Sequence, residues 1–464
     1  MRKPQLTFFY SATLLTAVGV FFLIRAAGLR LVPIDAASST TVRPAQEATG
    51  TPNLFLQVLV ALAVVVITAR VVAALFRWLG QPQVMGEVVA GLLLGPSFGG
   101  WVAPKAAAIL LPAAIAPYLA VIAQVGIILF MFLVGLGLDT GLLRQRSRAS
   151  VAISHASIVV PFLLGAALAL WLYPRFAGAG ISFTPFALFI GVAMSVTAFP
   201  VLARILTDTQ MQKSPLGVIA LACAAVDDVT AWCLLALVVG VARAEPGSAV
   251  ITAGAAIAFT VFVLLFARRG AMWLVRQRDR VGKTTRGMFA AVCVLLLVSA
   301  IVTERIGIHA LFGAFLLGAI VPHDSALARD IREKCEDLVV VLFLPVFFAF
   351  TGMRTQIGLL QSSADWLVCA VIILVATLGK FGGSFFAARL TGSDNREAAS
   401  LGILMNTRGL MELIVLNVGL DLGVLSPALF AMFVLMAVAT TLATTPILKE
   451  LRTCRSPQKN RTVE

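Results

Sequence analysis

The chain has 464 residues, of which 60% are apolar and only 12% charged, and its net charge is +14. Its mean hydropathy of +0.98 and a charged fraction about half that of a water-soluble domain exclude an ordinary soluble enzyme. Apolar runs of about 20 residues, each long enough to cross a bilayer, recur from end to end, so the chain reads as an all-α polytopic membrane protein.

Taken in chain order, the runs predict fourteen helices: 6–24, 54–76, 84–96, 113–135, 149–171, 185–206, 214–240, 248–266, 286–303, 307–321, 338–352, 365–390, 398–420 and 426–449. The first follows Met1-Arg2-Lys3 and precedes a Ser/Thr/Pro/Ala-rich stretch over 33–53. At about 19 residues it exceeds a usual signal-peptide core and reads as a retained helix, making thirteen to fourteen transmembrane spans. Placing the N-terminus in the cytoplasm puts about three-quarters of the Lys and Arg on that side, in loops holding Arg144, Arg146, Arg148, Arg276, Arg278, Arg280, Lys283 and Arg286. The other side receives Arg25, Arg30, Arg43, Lys105, Arg175, Arg243, Arg305 and Arg354. The positive-inside rule then sets both termini in the cytoplasm, across the plasma (inner) membrane, and makes the basic surplus a topology signal, with no nucleic-acid partner.

An internal echo supports an inverted repeat. Gly137-Leu138-Asp139-Thr140-Gly141-Leu142-Leu143 closes the fourth run, and Gly352-Met353-Arg354-Thr355-Gln356-Ile357-Gly358-Leu359-Leu360 closes the eleventh. One run earlier in each half stand Gly91-Leu92-Leu93-Leu94-Gly95 and Gly313-Ala314-Phe315-Leu316-Leu317-Gly318. Seven helices is an odd interval, so matching segments fall on opposite membrane faces. The reading divides the chain into an N-terminal extra helix and outer loop (1–53), a first repeat (54–245), a linker helix with a basic cytoplasmic loop (246–285), a second repeat (286–449) and a short cytoplasmic tail (450–464). Inverted repeats build alternating-access transporters with sites at the bilayer midplane.

Ionisable groups inside apolar runs are costly and mark the chemistry. Here they are Asp227, Asp228, Lys380 and Arg408, with Glu87 and Glu412 nearby. Adjacent helical residues point about 100° apart, so the two aspartates cannot share one partner face. One can pair with Lys380 while the other opens to a water-filled cavity. A carboxylate able to hold either a proton or a small hard cation is what proton/cation exchange requires, and the metal reading is Na+ or K+ at Asp227 and Asp228. Runs six and thirteen each carry a break: Thr197-Ala198-Phe199-Pro200 in one, Asn406-Thr407-Arg408-Gly409 in the other. Pro200 lacks a backbone donor and disfavours helix before it. Two breaks at matching places predict crossed discontinuous helices, with Thr197 and Arg408 close to the aspartates and Asn406 in support. Arg408 is left three roles: neutralising half-helix dipoles, or pairing with Glu412, or with Glu87.

Several patterns carry no chemistry. Gly95-Pro96-Ser97-Phe98-Gly99 ends a membrane helix instead of joining strand to helix. Gly282-Lys283-Thr284-Thr285 has Gln277 where a phosphate-binding loop needs glycine, and His155, His309 and His323 form no zinc motif. The six cysteines show neither CxxC spacing nor a His partner. No cofactor and no enzyme activity are expected. The alternative to an exchanger is a cation channel or ligand-gated K+ efflux pore using the same charged core.

Gln81-Pro82-Gln83-Val84-Met85-Gly86-Glu87, Thr197-Ala198-Phe199-Pro200-Val201-Leu202-Ala203-Arg204, Asp227-Asp228, His309-Ala310-Leu311-Phe312-Gly313 and Asn406-Thr407-Arg408-Gly409-Leu410-Met411-Glu412 together resemble the monovalent cation/proton antiporter family 2, with its Kef-type and CHX-type exchangers, over about 54–449. The resemblance implies a homodimer with a dimerisation panel (runs two to four and nine to eleven) and a mobile core (five to seven and twelve to fourteen). It implies Asp228 as the carrier, since that aspartate is shared by the Gln-Asp and Asn-Asp variants of Kef-type and CHX-type members. With Asp228 taken as the carrier, Lys380 is expected to form a switchable ion pair with Asp227, the aspartate that is left. The paired aspartate here resembles the electrogenic sodium/proton exchangers and favours Na+ over K+. The few residues after Lys449 are too short for a Kef-type nucleotide-binding domain, so nucleotide gating is not expected.

Overall fold

A computed structural model of the chain describes residues 3–31, 54–137, 148–178, 180–211, 214–243 and 248–453. The loop around 33–53, the Leu138–Leu143 part of the repeat echo, Arg144, Arg146 and the tail beyond 453 lie outside the described residues.

Among the described residues, fourteen numbered helices follow the apolar runs, the sixth and thirteenth each in two pieces. The first half holds α1 (Lys3–Gly28), α2 (Leu54–Trp78), α3 (Gln83–Leu94), α4 (Ala116–Leu136), α5 (Arg148–Phe176), α6a (Phe183–Ser195), α6b (Phe199–Asp208) and α7 (Pro215–Arg243). Next comes α8, formed by Ser248–Phe262 and Arg268–Val281 joined through a π-helical turn at Val263–Ala267. The second half holds α9 (Arg286–Ile306), α10 (Ala310–Ile320), α11 (Ala326–Leu338 and Leu344–Arg354 about a second π turn), α12 (Ser363–Leu390), α13a (Asn395–Met405), α13b (Leu410–Asp421) and α14 (Pro427–Thr453).

Two boundaries differ from the sequence reading. The basic loop expected after residue 266 is helical as far as Val281, and α11 begins at Ala326 instead of 338. Both added segments are amphipathic and bury their apolar faces: Ala271, Leu274 and Val275 in α8, and Leu327, Ala328 and Ile331 in α11. An apolar-run count misses such segments because it rewards uniform hydrophobicity, not a stripe. The number of spans also differs. Among the described residues ten helices are long and apolar enough to cross a membrane, or eleven if α13a and α13b, bent by 43°, form one span. The expected thirteen to fourteen are not reached because α6a, α10 and the described apolar part of α1 are each shorter than a bilayer crossing.

Helix ends obey local chemistry. The Ser362 and Asp365 side chains form a reciprocal capping box on α12, and Asp394 caps α13a by accepting from the Glu397 amide. Packing sorts the helices into two groups. In one, α3 lies on α2 and α11, and α4 on α10 and α11. In the other, α5 lies against α6a, α7 and α12, with α13a and α14 closing over α12. Glycine permits the tightest crossing of the first group: a Cβ on Gly91 would collide with the Phe348 carbonyl, and one on Gly352 with the carbonyl of Gly91. Among the described residues, links between the groups include the stacked rings of Trp232 and Phe315 at 6.5 Å, the Arg354–Asp421 ion pair at 2.6 Å, and the Gln81 amide donating to the Leu442 carbonyl.

Candidate functional site

The second group is centred on α7, whose Asp227 and Asp228 are 0% and 2% exposed. Their environments are opposite, as the helical angle between neighbours demands. The Asp227 carboxylate faces α5 and α12. Its Oδ1 accepts from Ser154 Oγ at 2.8 Å, and its Oδ2 from Ser157 Oγ at 2.6 Å, Thr197 Oγ1 at 2.8 Å and Lys380 Nζ at 3.2 Å. Both oxygens of Asp227 are thus engaged by hydroxyls or the ammonium. Asp228 turns towards α6b, where the backbone N–H of Phe199 donates to its carboxylate. Among the described residues its Oδ1 has no hydrogen-bond partner. A buried, unpartnered carboxylate oxygen is rare, because leaving an acceptor both dehydrated and unbonded costs about 1–3 kcal/mol or more.

The breaks explain how the charges are tolerated. Helix α6 stops at Ser195, runs extended through Val196 and Ala198, and restarts with Pro200 in the first turn of α6b, where a missing N–H costs nothing. Helix α13 is interrupted between Met405 and Leu410. The two breaks touch: the Ala198 amide donates to the Thr407 carbonyl at 2.9 Å, and a Cβ on Gly409 would lie 2.9 Å from Val201 of α6b. The last carbonyls of α6a therefore end inside the protein. Lys380 Nζ donates to Ser195 O and to Ser157 O, while Arg408 donates to Ala193 O at 3.0 Å and Met194 O at 2.8 Å. Two cations thus sit at the negative end of a half-helix dipole.

Arg408 also holds Glu412 Oε2 at 2.7 Å, one turn on. Of the three roles left to this arginine, it combines the dipole and the Glu412 pair. Glu87 takes no part: it is buried in α3 with Arg70 of α2 as its charged neighbour and shares no ion pair with Arg408 or Lys380 among the described residues. Asn406 lies on the break itself, and its Oδ1 is also a buried acceptor without a partner among the described residues.

Three contributors escaped the sequence reading. Ser154 and Ser157 sit three residues apart within the fifth apolar run, a spacing that puts both on one helix face; that periodicity was the available signal. Thr441 of α14 accepts from the Arg408 amide at 2.8 Å and donates to the Arg408 carbonyl at 2.7 Å, satisfying both backbone groups freed by the break. One threonine in a Thr-rich stretch gave no such hint. No cluster of three or more His, Cys, Asp or Glu suited to a metal exists among the described residues. What the aspartate pair offers chemically is an open carboxyl oxygen, beside a partner already engaged by Lys380, for a small cation or a proton.

Residues 61–450 match the family described as sodium/hydrogen exchanger, transmembrane. The chain belongs to that family. It is 43% identical over 401 residues to the Na+/H+ antiporter NhaS4 of Synechocystis, covering 86% of this chain and 98% of that protein. It is 39% identical over 424 residues to cation/H+ antiporter 17 of Arabidopsis thaliana and 34% over 382 to K+/H+ antiporter 1 of Saccharomyces cerevisiae, covering 89% and 80% of this chain. It spans only 50% and 44% of those two longer proteins. Among solved structures, the sodium proton antiporter MjNhaP1 of Methanocaldococcus jannaschii aligns with a TM-score of 0.58 at 13% identity, covering 86% of this chain and all of that one. At that identity the likeness speaks for the fold. This exchanger-family chain is therefore a helical, multi-pass membrane protein.

Proposed function

We propose that the protein is a secondary active antiporter exchanging a monovalent cation, Na+ in preference to K+, for protons. The observation that carries the reading is the asymmetry of the aspartate pair. Asp227 is satisfied by Lys380 and three hydroxyls, whereas the buried Asp228 keeps an oxygen without a partner among the described residues, beside the crossed breaks. Asp228 is the carrier: it binds the cation or the proton, never both, which couples the two fluxes. Thr197 and Asn406 supply neutral oxygens near it. Lys380 and Arg408 compensate the half-helix end and the second carboxylate.

The sorting of the helices into two packed groups supports a reading of alternating access. The group α5–α7 with α12–α14 is the mobile core, the group α2–α4 with α9–α11 a panel through which two copies dimerise, and the two halves are inverted repeats over 54–245 and 286–449. Both termini lie in the cytoplasm, and the host membrane is the plasma membrane. Support for antiport comes from the Synechocystis, Arabidopsis and yeast relatives, whose names include both Na+/H+ and K+/H+ exchange; the paired aspartates favour Na+. Entry of a cation at Asp228 weakens the Lys380–Asp227 pair, and if Lys380 gives up its own proton, two protons cross against one cation and net charge moves.

The experiment is exchange in proteoliposomes. Uptake of radioactive sodium and rubidium is measured against an imposed pH gradient, with proton movement followed in parallel. Saturable sodium uptake locked to proton efflux in constant ratio is expected. Cation flux without coupled proton movement would instead identify a channel.

A further inference from the structure

The segment Arg268–Val281 of α8 has two faces with separate uses. Its inner face carries Ala271, Leu274 and Val275 into the protein and pins α8 to α11. Arg278 donates to both oxygens of Asp330 at 3.0 and 3.1 Å, Thr284 donates to Asp330 at 2.7 Å, and Lys334 donates to the Thr284 carbonyl at 3.3 Å. That pin prevents the helix from rolling, so its outer face is fixed. On that outer face Arg269, Trp273, Arg276 and Arg280 follow at spacings of four, three and four, one stripe of a helix, and all are exposed. Asp279 is the segment's one acid, and no ion pair joins it to these arginines among the described residues.

Immediately before the stripe, α8 exposes large apolar side chains: Phe262 is 54%, Leu265 54% and Phe266 57% exposed. The Arg269 guanidinium lies over the Phe266 ring, 5.8 Å from its centroid. Apolar surface gives way to an aromatic-flanked basic row within three turns, which is the profile of the boundary between acyl chains and headgroups. Unlike Arg278, the stripe arginines enter no ion pair among the described residues, yet they cluster on one exposed face.

The geometry points to a binding surface for an anionic phospholipid, its phosphate held by Arg269, Arg276 and Arg280, its glycerol region against Trp273, and its chains along Phe262, Leu265 and Phe266. Charge complementarity and continuity with the apolar lipid-facing surface choose this occupant, independently of which ion is transported. Since α8 is the covalent link between α7 and α9, lipid held there sits on the connection between the two helix groups.

The test uses the full chain purified in detergent and read by native mass spectrometry, with phosphatidylglycerol and phosphatidylcholine titrated separately. Phosphatidylglycerol should be retained preferentially. The variant R269Q/R276Q/R280Q should lose that affinity by about fivefold per arginine, while R305Q, at the far end of α9, should not. Should the triple variant fail to express, the single changes at the same three exposed positions carry the test. Equal retention of both lipids, or wild-type retention by the variants, overturns the proposal. So does displacement by inorganic phosphate at matched concentration, which would make this a free-anion site, or a variant whose only change is oligomer mass, which would make the stripe a contact between copies.

Discussion

Two adjacent aspartates with the same chemistry are separated in role by a rotation of about 100°. Asp227 meets Ser154, Ser157, Thr197 and Lys380; Asp228 meets one backbone amide and leaves an oxygen open. Substituting Asp228→Asn removes the member of the pair that is free to exchange ligands and should bring cation/proton exchange to background, while the protein still inserts and elutes as the wild type does. Wild-type exchange by that variant would refute the carrier assignment. Arg408 is a different case. It satisfies the carbonyls of Ala193 and Met194 as well as Glu412, all fully buried. Arg408→Ala strands a buried carboxylate and two carbonyls, and a loss of about 3–5 kcal/mol is expected, measurable as a large fall in melting temperature with or without sodium.

At the scale of elements, the crossing of the two breaks is held by individual bonds that can be replaced one at a time. Thr441→Val keeps shape but removes both hydrogen bonds to the Arg408 backbone. A destabilisation of about 1–3 kcal/mol is expected, read from thermal unfolding, with exchange reduced because the α13 break loses its anchor. The crossing of α3 over α11 depends on volume instead. Gly91→Leu would drive a side chain into the Phe348 carbonyl, so assembled protein recovered from the membrane should fall sharply. Gly254 is exposed on α8, where an added methyl group would meet open space, and should accept Ala without loss.

Across the whole molecule, the proposed stoichiometry makes a statement about energy. If Lys380 cycles its proton, one net charge crosses per turnover, worth about 2.3 kcal/mol for each 100 mV of membrane potential. Exchange should then accelerate under a valinomycin-clamped potential of the favourable sign, and Lys380→Gln should remove that response. Potential-independent exchange in the wild type would leave an electroneutral antiporter. Under the proposed alternating access, movement of one helix group against the other would also have to open the Arg354–Asp421 pair and the Arg354–Asn417 hydrogen bond, which are polar links between them.

Much of this is legible in the sequence. The fourteen numbered helices, the Pro200 and Gly409 interruptions and the buried ionisable set follow from hydropathy and from the backbone limits of proline and glycine, which act locally and over a single turn. Charge cost in a bilayer singles out Asp227, Asp228, Lys380 and Arg408 because water-free surroundings penalise each regardless of neighbours. Partnership is another matter. That Arg408 serves α6a and Glu412 but not Glu87, and that Ser154, Ser157 and Thr441 complete the site around the expected Lys380–Asp227 pair, depend on side chains from helices up to 223 residues apart. The amphipathic ends of α8 and α11 likewise become helices by packing on each other. Burial and hydrogen bonding between distant segments are set by tertiary contact, and one-dimensional periodicity carries no record of which faces meet.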